Sequence, residues 1–104
     1  MTSFDIGVLD DFELGVPRQL HVGGRVLAAV RIDDTVYVLD DRCSHEEFSL
    51  SDGEVDLDSA EIECARHGAM FRLSDGAALT LPATRPVGHY DVHEQSGRLE
   101  VELP

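Results

Sequence analysis

The sequence predicts an all-β, antiparallel fold, and three observations carry that expectation. Apolar and polar residues alternate with period two along most of the chain, and no segment keeps a helical period over three turns. Short apolar runs are separated by turn pairs such as Gly23-Gly24 and Asp33-Asp34. The 104 residues suffice for one domain, spanning 1–104, with a core large enough to fold but little to spare.

Taken in order, Phe4 to Leu9 reads as a first strand, and Asp10 to Pro17 as an acidic connection containing Gly15 and Pro17. Arg18–Val22 and Arg25–Ile32 flank Gly23-Gly24, a strong two-residue hairpin signal. The turn at Asp33-Asp34 leads into Thr35–Leu39. Glu54–Leu57 and Ala60–Cys64 form a short pair around Asp58-Ser59. Met70–Leu73 turns at Ser74-Asp75-Gly76 into a strand over Ala77–Leu81, and a proline-containing segment, 82–86, follows. Val87–Glu94 and Arg98–Leu103 close the chain as a hairpin across Gln95-Ser96-Gly97. In the last strand Leu99, Val101 and Leu103 are expected inside, with Arg98, Glu100 and Glu102 towards water.

Composition narrows the function. No stretch approaches the roughly 20 apolar residues of a membrane span, and the acidic, polar start Met1-Thr2-Ser3-Phe4-Asp5 is not that of a signal peptide. The formal charge is −13, from 21 acids against eight bases, all of them arginine. Such a surface repels nucleic acid and anionic membranes. Ten acids fall between Asp40 and Glu63, with only Arg42 against them. General solubility accounts for most of these, but the crowding also gives one end of the molecule a negative field that would steer it to basic patches.

The chemistry concentrates in one stretch. Cys43-Ser44-His45 is followed, after eighteen residues, by Cys64-Ala65-Arg66-His67, and these are the only two cysteines. Two thiolates and two imidazoles are the ligand set of a [2Fe–2S] cluster with two cysteines on one iron and two histidines on the other. Zinc takes the same donors, but its usual spacings pair cysteine with cysteine and histidine with histidine. A Cys43–Cys64 disulfide, or two buried cysteines with chance histidines, would leave the matched positions of His45 and His67 unexplained.

With Leu50-Ser51-Asp52-Gly53-Glu54-Val55 after the first pair and Gly68-Ala69-Met70-Phe71 after the second, the pattern closely resembles that of small bacterial Rieske ferredoxins. These serve ring-hydroxylating, non-haem iron dioxygenase systems. The resemblance implies a β-sandwich-like fold with a cluster-binding subdomain at one tip, loops at about 40–50 and 64–71, and a proline loop at 82–86. It implies one [2Fe–2S] cluster, with Cys43 and Cys64 on the inner iron and His45 and His67 on the outer one. Pro82 and Pro86 match the segment that packs beside the cluster. Gly68 fits a place where backbone passes close to it.

The resemblance further implies a monomeric, cytoplasmic one-electron carrier, not an enzyme, that passes electrons from a flavoprotein reductase to a terminal oxygenase. Other classes are an accessory role in iron–sulfur cluster assembly and a zinc-binding interaction module. Respiratory-type Rieske proteins place a serine and a tyrosine hydroxyl near the cluster sulfurs, where this chain has Ala69 and Phe71, so a low potential is expected. Of the remaining histidines, His21 is expected to face solvent. His89, Asp91 and His93 alternate and are expected to share one face of a strand, as an ordinary polar surface.

Overall fold

The computed structural model describes residues 2–42, 49–65, 68–81 and 83–104. Its strands follow the alternation in the sequence. They are β1 (Thr2–Gly7), β2 (Arg18–Val22), β3 (Arg25–Ile32), β4 (Thr35–Asp40), β5 (Glu54–Asp56), β6 (Glu61–Glu63), β7 (Met70–Arg72), β8 (His89–Tyr90), β9 (Val92–Gln95) and β10 (Arg98–Leu103). Short 3₁₀ turns form at Leu9–Asp11 and Leu50–Asp52. The strands make three sheets, β1–β10–β9, β2–β3–β4–β8 and β5–β6–β7. All of these strand pairings are antiparallel, as expected.

The four-stranded sheet is the middle layer, and β3 shows why. Leu27, Ala28, Ala29 and Val30 are consecutive, and each is at most 1% exposed. On a pleated strand neighbours point to opposite faces, so such a run needs both faces covered. Leu27 and Ala29 pack with Phe12, Val36, Val38, Leu99, Val101 and Leu103, beneath the β1–β10–β9 sheet. Ala28 and Val30 pack on the other side with Leu39, Leu50, Ile62, Cys64 and Phe71. Each large side chain buried this way stabilises the fold by about 1.5–3 kcal/mol. The small β5–β6–β7 sheet therefore rests on the middle layer through the core that holds Cys64.

Turn chemistry fixes the registers. Val22 pairs with Arg25 across Gly23-Gly24, whose φ angles of 57° and 79° make a type I′ turn. Gln95 pairs with Arg98 across Ser96-Gly97, with φ of 54° and 80°, in the same way. In the β5–β6 hairpin, Asp56 pairs with Glu61 across the four residues 57–60. The Asp56 carboxylate accepts the backbone N–H groups of Asp58 at 3.0 Å and Ser59 at 3.2 Å. Ala60, expected to open a strand, is instead left-handed at φ 57° and ends that turn.

Other expected strands are also redrawn. The first becomes Thr2–Gly7, with a bulge between Asp5 and Gly7, and Leu9 enters a 3₁₀ turn. Ala77–Leu81 makes only a single bridge, Ala78 to Phe71. There the Thr80 hydroxyl, not a backbone carbonyl, accepts the Met70 N–H at 2.9 Å and the ladder stops. Val87–Glu94 is broken at Asp91. β8 pairs with β4 while β9 pairs with β10, so the chain changes sheet at this point, and the Asp91 carbonyl takes the Glu102 N–H at 3.0 Å. His89 and His93 thus belong to different sheets, with Asp91 between them, and all three are exposed. Leu99, Val101 and Leu103 are buried as expected, whereas Glu100 and Glu102 are half-buried rather than fully in water.

Two substitutions test this packing. Ser96→Asn should relieve part of the roughly 1–2 kcal/mol that a left-handed L-residue costs. Asparagine–glycine suits a type I′ turn, so Tm should rise by about 2–4 °C. Gly53 lies against β6, and a Cβ there would overlap the Glu63 carbonyl oxygen. Gly53→Ala must push two backbones apart, and calorimetry should show a loss on the order of 1–3 kcal/mol or more.

Candidate metal centre

The first loop is closed by backbone. β4 ends at Asp40, Arg42 bridges to Ser49, and the Leu50 N–H donates to the Asp41 carbonyl. The chain therefore returns to the place it left, and Leu50 drops fully buried into the core. The 3₁₀ turn at Leu50–Asp52 then brings Gly53 against Glu63, the residue before Cys64. Backbone that leaves the first loop is thus packed on backbone that enters the second. Cys43 and His45 lie outside the described residues.

The second loop continues the β6–β7 register. Ile62 pairs with Phe71 and Glu63 with Met70. The Cys64 N–H then donates to the Ala69 carbonyl at 2.8 Å, and the Gly68 N–H to the Cys64 carbonyl at 3.0 Å. Directly opposed residues on antiparallel strands face the same side, so Ile62, Cys64, Ala69 and Phe71 all point into one core cluster. Cys64 is 1% exposed, while Ala65 and Gly68 are exposed. Gly68 has φ 72°, a left-handed turn residue, which is the local reason for glycine there. His67 lies outside the described residues.

The third segment is anchored to the same core. Pro82 lies outside the described residues and Pro86 is exposed, but Ala83 and Val87 are buried in the cluster that contains Cys64. The Val87 N–H donates to Gly76 at 2.9 Å, and the Asp40 N–H to Gly88 at 2.8 Å. The Tyr90 hydroxyl donates to the Asp40 carboxylate at 2.6 Å and accepts from Arg25 at 3.1 Å. Burial, followed by the neighbouring Asp40 carboxylate, holds the Tyr90 phenol above its ordinary pKa, so it stays a donor. The segment after the second loop is in this way tied to the origin of the first.

Of the four residues predicted as ligands, the structure places Cys64, as a buried thiol at the mouth of a tight loop. Cys43, His45 and His67 lie beyond what it describes. The donor set suits a mixed-ligand iron–sulfur centre, and a buried cysteine in a loop whose flanks are exposed suits the inner metal position. Around it the acids behave unequally. Asp52, Glu54, Asp56 and Asp58 are exposed, whereas Asp41 is buried. Glu54 and Glu63 oppose each other across β5–β6, and with Asp56 and Asp58 they line a groove of about 530 Å³ that reaches Met70.

The remaining histidines stand apart. His21 is exposed, with Nε2 at 3.3 Å from Gln19 Oε1, and His93 Nε2 lies 3.3 Å from Glu100 Oε1. Sequence reasoning missed Gly53, and it read Asp41 as one more surface acid. A signal for Asp41 exists: Tyr37, Leu39 and Asp41 share one face of a strand that is covered on both sides.

Comparison with known proteins agrees with the geometry. The Rieske [2Fe-2S] domain family matches residues 2–91. The 3-phenylpropionate/cinnamic acid dioxygenase ferredoxin subunit of Shigella flexneri serotype 5b is 42% identical over 79 residues, covering 76% of this chain and 74% of the relative. The ferredoxin of carbazole 1,9a-dioxygenase from Nocardioides aromaticivorans IC177 superposes with a TM-score of 0.93 at 36% identity, over 97% of both chains. The Sphingomonas yanoikuyae B1 ferredoxin gives 0.89 at 28% identity, over 99% of this chain and 100% of that one. With the cysteine and histidine spacing, the buried Cys64 and the three-sheet architecture all in agreement, the chain belongs to the Rieske [2Fe–2S] domain family.

Proposed function

We propose that this protein is a low-potential Rieske ferredoxin that takes single electrons from a flavoprotein reductase and delivers them to a terminal non-haem iron oxygenase. The observation that carries this reading is the end-to-end superposition on a dioxygenase ferredoxin at a TM-score of 0.93. Relatives named as dioxygenase ferredoxin subunits support it. So does the complex of reduced oxygenase and oxidised ferredoxin in carbazole 1,9a-dioxygenase, whose ferredoxin is similar to this chain at a TM-score of 0.86 and 32% identity.

A [2Fe–2S] cluster supplies a one-electron couple when bound. Cys43 and Cys64 would hold it through sulfur, and His45 and His67 through ring nitrogen. Leu50, Ile62, Phe71, Ala83 and Val87 keep water from the cysteine side of the site. The carboxylates along the Glu54–Asp58 groove give the flank of the site a negative surface, which draws basic patches on reductase and oxygenase. The protein acts as a monomer in the cytoplasm. No helix among the described residues is long and apolar enough to cross a membrane.

The acids make a kinetic prediction. Reduction of the anaerobically purified protein by the flavoprotein reductase of a ring-hydroxylating dioxygenase system should slow about tenfold or more between 0.1 and 1 M salt, as the Debye length falls from ~10 Å to ~3 Å. Rates that stay flat would leave the acids a solubility role. Cys43→Ser protein should show neither the visible absorption nor the acid-labile sulfide, and it should accept no electrons.

The neighbours of Cys64 make a second prediction. Ala69 lies directly opposite Cys64 and Phe71 follows on the same face, both fully buried and both without a hydroxyl. A hydrogen bond to sulfur favours the more negative, reduced state by about 1–3 kcal/mol, on the order of 40–130 mV for one electron. The wild-type midpoint should therefore lie near the low end of the Rieske range, about −150 mV. Ala69→Ser and Phe71→Tyr should each raise it by tens of millivolts in voltammetry. A wild-type midpoint above zero, or variants that do not shift, would assign the potential to other groups.

A further inference from the structure

We propose that Asp41 is a positioning residue for the first ligand loop, fixing the segments that enter and leave it to each other and to the middle sheet. The proposal rests on the Rieske reading above. Asp41 is 1% exposed, and it is the only charged or polar side chain among the described residues that is fully buried. One carboxylate oxygen accepts the Ser51 N–H at 2.7 Å. The other accepts the Ser51 hydroxyl at 3.0 Å and the Gln19 amide at 2.6 Å. Its own N–H donates to the Val26 carbonyl at 3.1 Å, and its carbonyl accepts the Leu50 N–H.

A buried carboxylate costs several kcal/mol unless hydrogen bonds replace its water, and an apolar residue at the same place is often the more stable choice. A fully satisfied buried polar group instead specifies one arrangement over its near neighbours. The sources of the hydrogen-bond partners say which arrangement is specified. Gln19 comes from β2, Val26 from β3, and Leu50 and Ser51 from the turn just after the loop. Asp41 itself stands just before the loop. One side chain therefore ties the loop's entrance to its exit and fixes both to the middle sheet.

The donor geometry is directional as well. The Gln19 carbonyl oxygen faces His21 Nε2 at 3.3 Å, which leaves the Gln19 amide nitrogen for Asp41. Both carboxylate oxygens accept, Oδ2 from Gln19 and the Ser51 hydroxyl and Oδ1 from the Ser51 N–H, so asparagine cannot replace aspartate. Its amide nitrogen would face the Gln19 nitrogen in one orientation and the Ser51 N–H in the other. Cys43 follows Asp41 by two residues, a span of at most about 7 Å between α-carbons. A shift at Asp41 is thus carried almost directly to a ligand.

The test uses Asp41→Asn, Gln19→Ala, Ser51→Ala and the conservative Ser51→Thr in the full chain, beside wild type. For each, iron and acid-labile sulfide per chain, the rate of iron loss to a chelator, the g-values of the reduced protein and the midpoint potential are measured. Asp41→Asn should bind several-fold less iron, lose it several-fold faster and show displaced g-values. Gln19→Ala and Ser51→Ala should shift the same readouts in the same direction by less, and Ser51→Thr should match wild type. Should Asp41→Asn fail to fold, the Gln19 and Ser51 variants decide, since each leaves Asp41 with other donors. Variants that lose only thermal stability, with wild-type iron content, g-values and midpoint, would overturn the proposal and leave Asp41 a core stabiliser. Wild type without iron, sulfide or a Rieske signal would instead overturn the functional reading itself, so the two failures are distinguishable.

Discussion

Burial of β3 on both faces is the constraint on which the rest of the molecule depends. Because Leu27 to Val30 are covered from two sides, the middle sheet divides the interior into two cores with different duties. The core beneath β1–β10–β9 contains Phe12, Leu99, Val101 and Leu103 and closes the ends of the chain onto each other. The opposite core, with Leu50, Ile62, Phe71 and Leu73, holds Cys64. Strands β5, β6 and β7 have only three residues each, and a sheet so small does not stand alone in water. Its order is borrowed from Ala28, Val30 and Leu39 below it. Alanine at position 28 also suits a position where the floor must come close to what rests on it.

This dependence explains why the site is held mainly by backbone. The two loops are related through a contact that leaves no room for a side chain, Gly53 against the Glu63 carbonyl, and Gly76 meets the Val87 carbonyl in the same way after the second loop. The proline segment joins them through Asp40 and Gly88. Backbone packed on backbone sets such distances tightly, and the fully hydrogen-bonded Asp41 carboxylate adds to it. A redox site that must change charge without changing shape gains from that stiffness.

Much of this was legible in the residues. Gly23-Gly24 with its alternating flanks gave the bounds of β2 and β3, because a two-residue turn admits a single register. What misled was a pattern shared by different structures. Val87 to Glu94 alternates as one strand would, yet the chain changes sheets at Asp91 while keeping its pleat, and period two carries no record of which sheet a residue joins. Ala77 to Leu81 has strand composition, but the Thr80 hydroxyl takes the N–H that would have extended the ladder. The candidate centre was read from spacing alone, in Cys43, His45, Cys64 and His67, of which the structure describes Cys64. Its support was not, since Asp41 sits in a run of acids where charge hides burial.

The acids that do reach water show a second trade. Glu54 faces Glu63 directly across β5–β6, and like charges so placed work against the pairing by a few tenths of a kcal/mol to about 1 kcal/mol. Arg72 opposite Glu61 offsets only the far end of the same sheet. A sheet selected for stability alone would alternate its signs. Here the repulsion is concentrated on the strand that delivers Cys64 and is carried by the least independent sheet in the molecule. The middle layer, with its apolar run on β3, supplies the stability that lets this end keep its uncompensated negative charge.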